Sequence, residues 1–222
     1  MTATMGARQR VLKNWGDSDE GPMNGAVGQG LAETMVRIVR AQLDVKTICD
    51  LGCGTGYLAA RLGALGFRVT GVDASDRLLE VARKNYESEK VSFVHAVFGD
   101  DSLDALALGG PFDLVISSDV IEHLFVPTSL TDTAFQILKP GGRLILGTPY
   151  HGYLKNVAIS ALGQWDLHHS PHWDGGHIKF FSVASLEKMV RRAGFDVVGF
   201  RYYGRVPWLW KNMICLARKA PE

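Results

Sequence analysis

Apolar positions along the chain switch between helical and strand periods in regular succession. Leu31, Met35, Ile38, Val39 and Leu43 recur at helical spacing, so a helix is expected from Leu31 to Leu43. The short apolar run Val45 to Cys49 reads as a first strand, followed by a helix from about Tyr57 to Leu65. A second strand spans Arg68 to Val72, and Ser75 stands ready to cap a helix from Asp76 to Tyr86 with Leu78, Leu79 and Ala82 inward. The third strand is Val91 to Val94; Pro111 introduces the fourth, Phe112 to Ser117. A helix from about Thr128 to Ile137 runs into Leu138-Lys139-Pro140-Gly141-Gly142, a stop that turns into a fifth strand, Arg143 to Gly147. The last helix, Val183 to Ala193, stops at Gly194, and Phe195 to Tyr202 and Asn212 to Ala217 close as paired strands.

Strands alternating with helices predict an α/β fold: a Rossmann-like, doubly wound, mostly parallel sheet with an antiparallel C-terminal strand. Ligands then bind at the carboxyl ends of the strands. There is no internal repeat or linker, so residues 1–222 are expected to form a single domain. Residues 1–30 lack strong periodicity and read as an N-terminal cap with Trp15 as its large anchor. Residues 150–180 break the rhythm with aromatics, glycines and histidines; so long an insertion inside a compact domain is expected to be functional, here as a substrate lid.

The most informative stretch is Asp50-Leu51-Gly52-Cys53-Gly54-Thr55-Gly56, between the first strand and its helix. A strand, a glycine turn and a helix start make a cradle for a nucleotide-like ligand, because glycine takes positive φ and admits a ligand close to the backbone. Asp73 follows Gly52 by 21 positions, where the dinucleotide fingerprint puts its ribose-binding acid. The turn is not the dinucleotide one, however: the third glycine comes one place early and Tyr57 occupies its position. Asp50 would also repel a pyrophosphate, whereas it suits a ligand carrying an ammonium group. Adenosine with an amino-acid tail satisfies both acids.

D-L-G-C-G-T-G followed by Gly71-Val72-Asp73 resembles the cofactor site of class I S-adenosylmethionine-dependent methyltransferases. Phe112-Asp113-Leu114-Val115, Glu122-His123-Leu124 and the Pro-Gly-Gly turn fit the same family. Gly176-His177-Ile178-Lys179-Phe180-Phe181-Ser182, with Leu186 and Ala193-Gly194-Phe195, is similar to the ubiquinone-biosynthesis O-methyltransferase subgroup. The resemblance implies S-adenosyl-L-methionine as cofactor, S-adenosyl-L-homocysteine as product, and a small-molecule acceptor methylated on a hydroxyl. It implies a cofactor site of Asp50, Gly52, Cys53, Gly54, Gly56, Asp73 and Ala74, with Val97, Phe98 and Ser118. Many relatives carry an Asp where Val97 stands; Asp100 and Asp101 follow, so the contact to the adenine amine is expected from them or from main chain.

Asp119, Glu122 and His123 follow the fourth strand at i, i+3 and i+4, which puts them on one face of a helical turn. His123, His151 and His177 are the candidate general bases. The resembled enzymes use an acid-x-x-Glu-His group for a divalent cation, so Asp119, Glu122 and His123 are the group that would hold one, although the expectation carried forward is that no metal is bound. His151, His168, His169, His172 and His177 crowd the insertion beside Asp166 and Asp174, yet their spacing matches no zinc pattern. They are expected to line the substrate pocket or to be solvated. Part of Trp165 to Trp173 is expected to form the lid, Phe180 and Phe181 to be core, and Val206 to Trp210 to pack beside the last strand.

Composition narrows partners. A net charge of +1 leaves no surplus of Lys and Arg for phosphates, so no nucleic-acid partner is expected. No run reaches membrane-spanning length and the N-terminus has no apolar leader, so stable membrane insertion is not expected. Cys49, Cys53 and Cys215 lie in or beside strand patterns and cannot all pair; free buried thiols point to a reducing compartment, the cytoplasm. Oligomeric state and acceptor identity are not written in these patterns, and N- or C-methylation, a nicotinamide oxidoreductase and a non-catalytic cofactor-binding protein stay as alternatives.

Overall fold

The computed structural model describes residues 26–42, 44–98, 108–169, 171 and 176–221. The expected roles of the N-terminal cap and Trp15, and those of Asp100, Asp101, His172, Trp173 and Asp174, fall on residues outside these.

In chain order the elements are α1 (Ala26–Arg40), β1 (Thr47–Leu51), α2 (Tyr57–Gly63), β2 (Arg68–Asp73), α3 (Asp76–Tyr86), β3 (Val91–His95) and β4 (Phe112–Ser118). A 3-10 turn (Ile121–His123) leads to α4 (Thr128–Ile137), β5 (Leu138–Pro149), α5 (Tyr153–Ala161), α6 (Trp165–His169), α7 (Val183–Arg192), β6 (Phe195–Tyr203) and β7 (Asn212–Lys219). The strands form one sheet in the order β3-β2-β1-β4-β5-β7-β6. Pairings from β3 to β5 are parallel, and β7 runs antiparallel to both β5 and β6.

Two apolar layers cover the sheet, one per face, because side chains alternate along each strand. On β4, Leu114 and Ile116 join the layer built with α1, α2 and α3, while Val115 joins the layer with α4 and α7, as does Phe112, which lies beyond the register irregularity between Phe112 and Leu114. β7 divides in the same way, Ile214 to one side and Met213, Cys215 and Ala217 to the other. The three cysteines are free and buried.

Two expectations need correction. The helix ahead of β1 ends at Arg40 rather than Leu43, after burying Leu31, Met35 and Val39. The Pro-Gly-Gly segment does not stop the chain before β5; Leu138 already pairs with Phe112, and the register then jumps to Leu114–Arg143. Residues 139–142 therefore bulge out of one longer strand, with Gly141 at φ 74°.

Asp113 ties the amino-terminal ends of three strands together. Its Oδ2 accepts from Lys46 N, Thr47 N and Thr47 Oγ1, and its Oδ1 accepts from Lys139 Nζ at 2.6 Å. Partial burial raises its pKa, but the Lys139 ammonium and the β1 N–H groups outweigh that and hold it down at about 2. The opposite, carboxyl ends are thereby fixed in relative height, and the candidate site is built there. β1 and β4 are neighbours joined by no direct connection, so the chain leaves them in opposite directions and opens a crevice between their ends.

Candidate active site

The glycine turn after β1 occupies that crevice. Gly52, Gly54 and Gly56 have φ of 80°, 53° and 82°, the left-handed region that other residues enter at a cost. A Cβ on Gly52 would collide with Val120, the residue just before the 3-10 turn. The glycine is what lets the two loops approach each other. A Cβ on Gly54 would meet nothing within 4 Å, so the middle of the turn faces open space.

Asp73 closes the cradle from β2. One oxygen accepts from Gly54 N and the other from Ser75 N, both at 2.9 Å. Each carboxylate oxygen keeps a second lone pair, enough for a pair of ribose hydroxyls. Burial raises Asp73, and those two N–H donors pull it back. Asp50, by contrast, is 2% exposed and its Oδ2 has no partner. Burial, with the Asp73 charge in addition, pushes its pKa up to about 7. A buried acid with an open acceptor fits an ammonium group; it does not fit a phosphate. Ser118 ends β4 with an equally unpartnered buried Oγ. Val97 and Phe98 lie half-buried just past β3, where Ala96 N donates to Asp73 O. His95 had no part in the sequence expectation, yet its Nε2 lies 3.1 Å from Ala74 O at the same rim. Its side-chain direction depends on the β2–β3 register, which no local motif encodes. These residues fit S-adenosylmethionine: Asp50 would take its ammonium, Asp73 its ribose, and the open turn at Gly54 its closest approach.

The loop after β4 departs from the single helical face expected of it. Asp119 sits at φ 52°, and only Ile121–His123 form a 3-10 turn. Asp119 points to β7, where Asn212 Nδ2 donates to its Oδ1 at 2.6 Å. Burial lifts it to about 7 despite that bond. Glu122 is fully enclosed; its Oε2 accepts from Thr148 Oγ1 at 2.9 Å while Oε1 is unpartnered. Burial, reinforced by Asp119, raises its pKa well above the carboxylate range. His123 Nε2 lies 3.8 Å from Glu122 Oε1, and its Nδ1 lies 3.3 Å from Gly176 O. A carbonyl only accepts, so Nδ1 carries the proton and Nε2 keeps the lone pair.

The potential ligand atoms that gather within 4.8 Å of one another are those of Glu122, His123 and His177, not of Asp119, Glu122 and His123. His177 arrives because Ile178 N and Lys179 N both donate to Glu122 O, docking the segment before α7 onto the turn. The rings of His123 and His177 meet edge to face at 4.9 Å. Thr148 and Asn212, the supports of the two acids, escaped the sequence reading because they come from other strands, 26 and 93 positions away from their partners.

The insertion expected to act as a lid comprises, among the described residues, α5, α6 and the segment from Gly176 to Phe181. His151 is held at its base, its N donating to Phe181 O at 3.1 Å. Burial lowers the pKa of His151 to about 4, helped by the Lys155 charge, and burial does the same to His177. Both rings are neutral near pH 7. Phe180 is not core: it is 49% exposed and packs edge-on against His151 and His169, whereas Phe181 is buried as expected. The stretch 206–210 is also more open than expected. Trp210 stacks on Tyr202 at 3.9 Å, but Val206 and Trp208 are exposed.

Comparison with known proteins agrees with this geometry. A methyltransferase-domain family model matches residues 23–199. A ubiquinone biosynthesis O-methyltransferase of Thiobacillus denitrificans is 33% identical over 159 residues, 71% of this chain and 67% of the relative. The chain spans about two thirds of the length of such curated relatives. Among solved structures, a magnesium protoporphyrin IX methyltransferase of Synechocystis with bound S-adenosylhomocysteine superposes with a TM-score of 0.65 at 20% identity, covering 96% of this chain and 93% of that one. An N-methyltransferase of Bradyrhizobium japonicum, also with S-adenosylhomocysteine, gives 0.67 at 16% identity, covering 96% and 98%. Its sheet, its glycine turn and the extent of the family match together identify this chain as a member of the class I S-adenosylmethionine-dependent methyltransferases.

Proposed function

We propose that the chain methylates a hydroxyl group of a small-molecule acceptor held between the Glu122–His123 turn and the histidine-bearing lid. The observation that carries this is the unpartnered Glu122 Oε1 beside His123 Nε2, buried where the carboxyl end of β4 adjoins the glycine turn. The relatives named as O-methyltransferases favour oxygen over nitrogen or carbon.

The bound cofactor supplies an electrophilic methyl on a sulfonium, which leaves as a neutral thioether. What remains for the protein is alignment and removal of one proton. Asp50 and Asp73 would hold the amino-acid tail and the ribose, beside the loop after β4 that carries Glu122 and His123. The acceptor oxygen forms the new bond to the methyl carbon as the carbon–sulfur pair withdraws to sulfur, and its proton passes to His123 Nε2. Glu122 Oε1, 3.8 Å from that nitrogen, lies against the imidazolium so formed as its polar neighbour, and no second proton moves. His151 and His177 have pKa values of about 4, which makes them weak bases at neutral pH and leaves them to shape the pocket.

No helix among the described residues is long and apolar enough to cross a membrane. The three free thiols accord with a reducing compartment, and the cytoplasm is the proposed location.

The test is transfer of tritiated methyl to a panel of phenols and aliphatic alcohols, with matched amines as controls, alongside calorimetry with S-adenosylhomocysteine. Label on hydroxyl acceptors alone is the expected result. Label on the amines alone would overturn the oxygen assignment. A non-catalytic role would give cofactor binding without label on any acceptor.

A further inference from the structure

His151, His169 and His177 come from three separate stretches: just past β5, the end of α6, and the segment ahead of α7. Their potential ligand nitrogens nevertheless lie within 4.8 Å of one another. His151 and His169 are buried and His177 is half-buried. Nε2 of His151, both ring nitrogens of His169, and Nδ1 of His177 are enclosed without a hydrogen-bond partner. Buried polar atoms without partners are rare in folded proteins, and several converging on one point mean that something is to be bound there.

From this convergence we propose that His151, His169 and His177 form a mononuclear site for a nitrogen-preferring divalent metal ion of the zinc or cobalt type. Three imidazoles leave a fourth position open, the arrangement of sites where the metal also meets water or a substrate. The proposed site departs from the expectation from sequence, which was that no metal is bound and that Asp119, Glu122 and His123 would otherwise hold one.

His151 Nδ1 lies 3.4 Å from Asn156 Oδ1, which as acceptor fixes the proton on Nδ1 and frees Nε2 to ligate. Trp165 lies 4.7 Å from the His169 ring, and Phe180 lies 5.1 Å and 4.6 Å from those of His151 and His169, an aromatic wall that limits their rotation. Among the described residues no carboxylate belongs to the group, and burial favours the neutral rings, the form that donates a lone pair. The positive charge of Lys155 lies near these rings and opposes a bare dication. It favours an anionic oxygen in the fourth position, from hydroxide or from an acidic acceptor. His177 meets His123 edge to face, so that position opens toward the proposed acceptor pocket.

This site does not depend on which acceptor is methylated. Its test is titration of chelator-treated full-length protein with Co(II), followed by visible spectroscopy and displacement by Zn(II). About one equivalent should bind, with the intense visible bands of a four-coordinate ion. His169→Gln and His151→Gln should each weaken binding by about tenfold or more, while His168→Gln and Glu122→Gln leave it unchanged. Circular dichroism and calorimetry with S-adenosylhomocysteine establish that each variant is folded. The site is overturned if folded wild-type protein binds no Co(II), if His169→Gln and His151→Gln bind it as well as wild type, or if Glu122→Gln is the variant that loses it.

Discussion

The two halves of the crevice are built by opposite means. On the donor side, Asp50, Gly52, Gly54, Gly56 and Asp73 fall within 24 consecutive positions, and the turn is closed by short-range contacts such as Gly54 N to Asp73. On the acceptor side each group depends on distant chain: Glu122 on Thr148, Asp119 on Asn212, His123 on Gly176. The surfaces differ as well. The donor turn is backed by the sheet, whereas the 150–180 insertion leaves Tyr153, Leu154, Leu162 and Leu167 exposed. A donor common to a family can be held by one local design. An acceptor that varies between relatives is better served by side chains on an insertion that can change without disturbing the sheet.

Breaking one half while sparing the other gives the sharpest checks. His123→Ala should lower the methyl-transfer rate about 10²- to 10⁴-fold, the ordinary contribution of a general base. Its dissociation constant for S-adenosylhomocysteine should stay at the wild-type value in calorimetry, and a matching loss there would mean that the two halves are not separable.

Asp50→Asn should do the reverse, weakening S-adenosylhomocysteine about ten- to a hundredfold through loss of a charged partner for the ammonium. Free Asp50 titrates near 7 against an ordinary value of 3.8, so the native state holds its proton longer than the unfolded chain does. Its contribution to stability is present below 3.8 and is lost as pH rises through 7. Asp50→Asn should therefore be at least as stable as wild type at pH 8 in thermal melts, although it binds the cofactor worse. In wild type, an ammonium beside Asp50 lowers its pKa, so binding at pH 6 should release protons and affinity should fall as pH drops below 7. Calorimetry in buffers of different ionisation enthalpy reads that release.

Asp113→Ala should cost about 1.5–3 kcal/mol of stability in denaturant unfolding, from the loss of its N–H and Lys139 partners. Because it sits at the far end of the sheet, cofactor affinity should not move. Leu167→Ser, on the exposed outer face of the lid, should change stability by less than about 0.5 kcal/mol. A larger loss would show that the lid's outer face is covered.

Much of the donor half was legible without coordinates. The apolar period located α3 and α4 with their observed limits, and the glycine spacing with Asp50 and Asp73 pointed to the ligand, because these signals are carried by neighbours in the chain. At β5 the limits were lost: Pro140-Gly141-Gly142 has the composition of a turn, yet pairing with β4 on both sides of the bulge makes it an interruption within a strand. Phe180 was expected in the core because an aromatic pair looks apolar from sequence, but only Phe181 joins the buried cluster, while Phe180 lies against the His151 and His169 rings.

Sequence alone, then, determined the sheet, the adenosyl-ligand turn and the position of the loop after β4, since each rests on local period, backbone freedom at glycine or charge at fixed spacing. Tertiary structure alone decided that Asp119 turns away to Asn212, that His177 rather than Asp119 joins Glu122 and His123, and that His151, His169 and His177 converge. The physical reason is distance along the chain. A side chain's partner across a sheet or under a lid is chosen by strand register and loop docking, which arise from the packing of the whole core and leave no periodic trace near the residue itself.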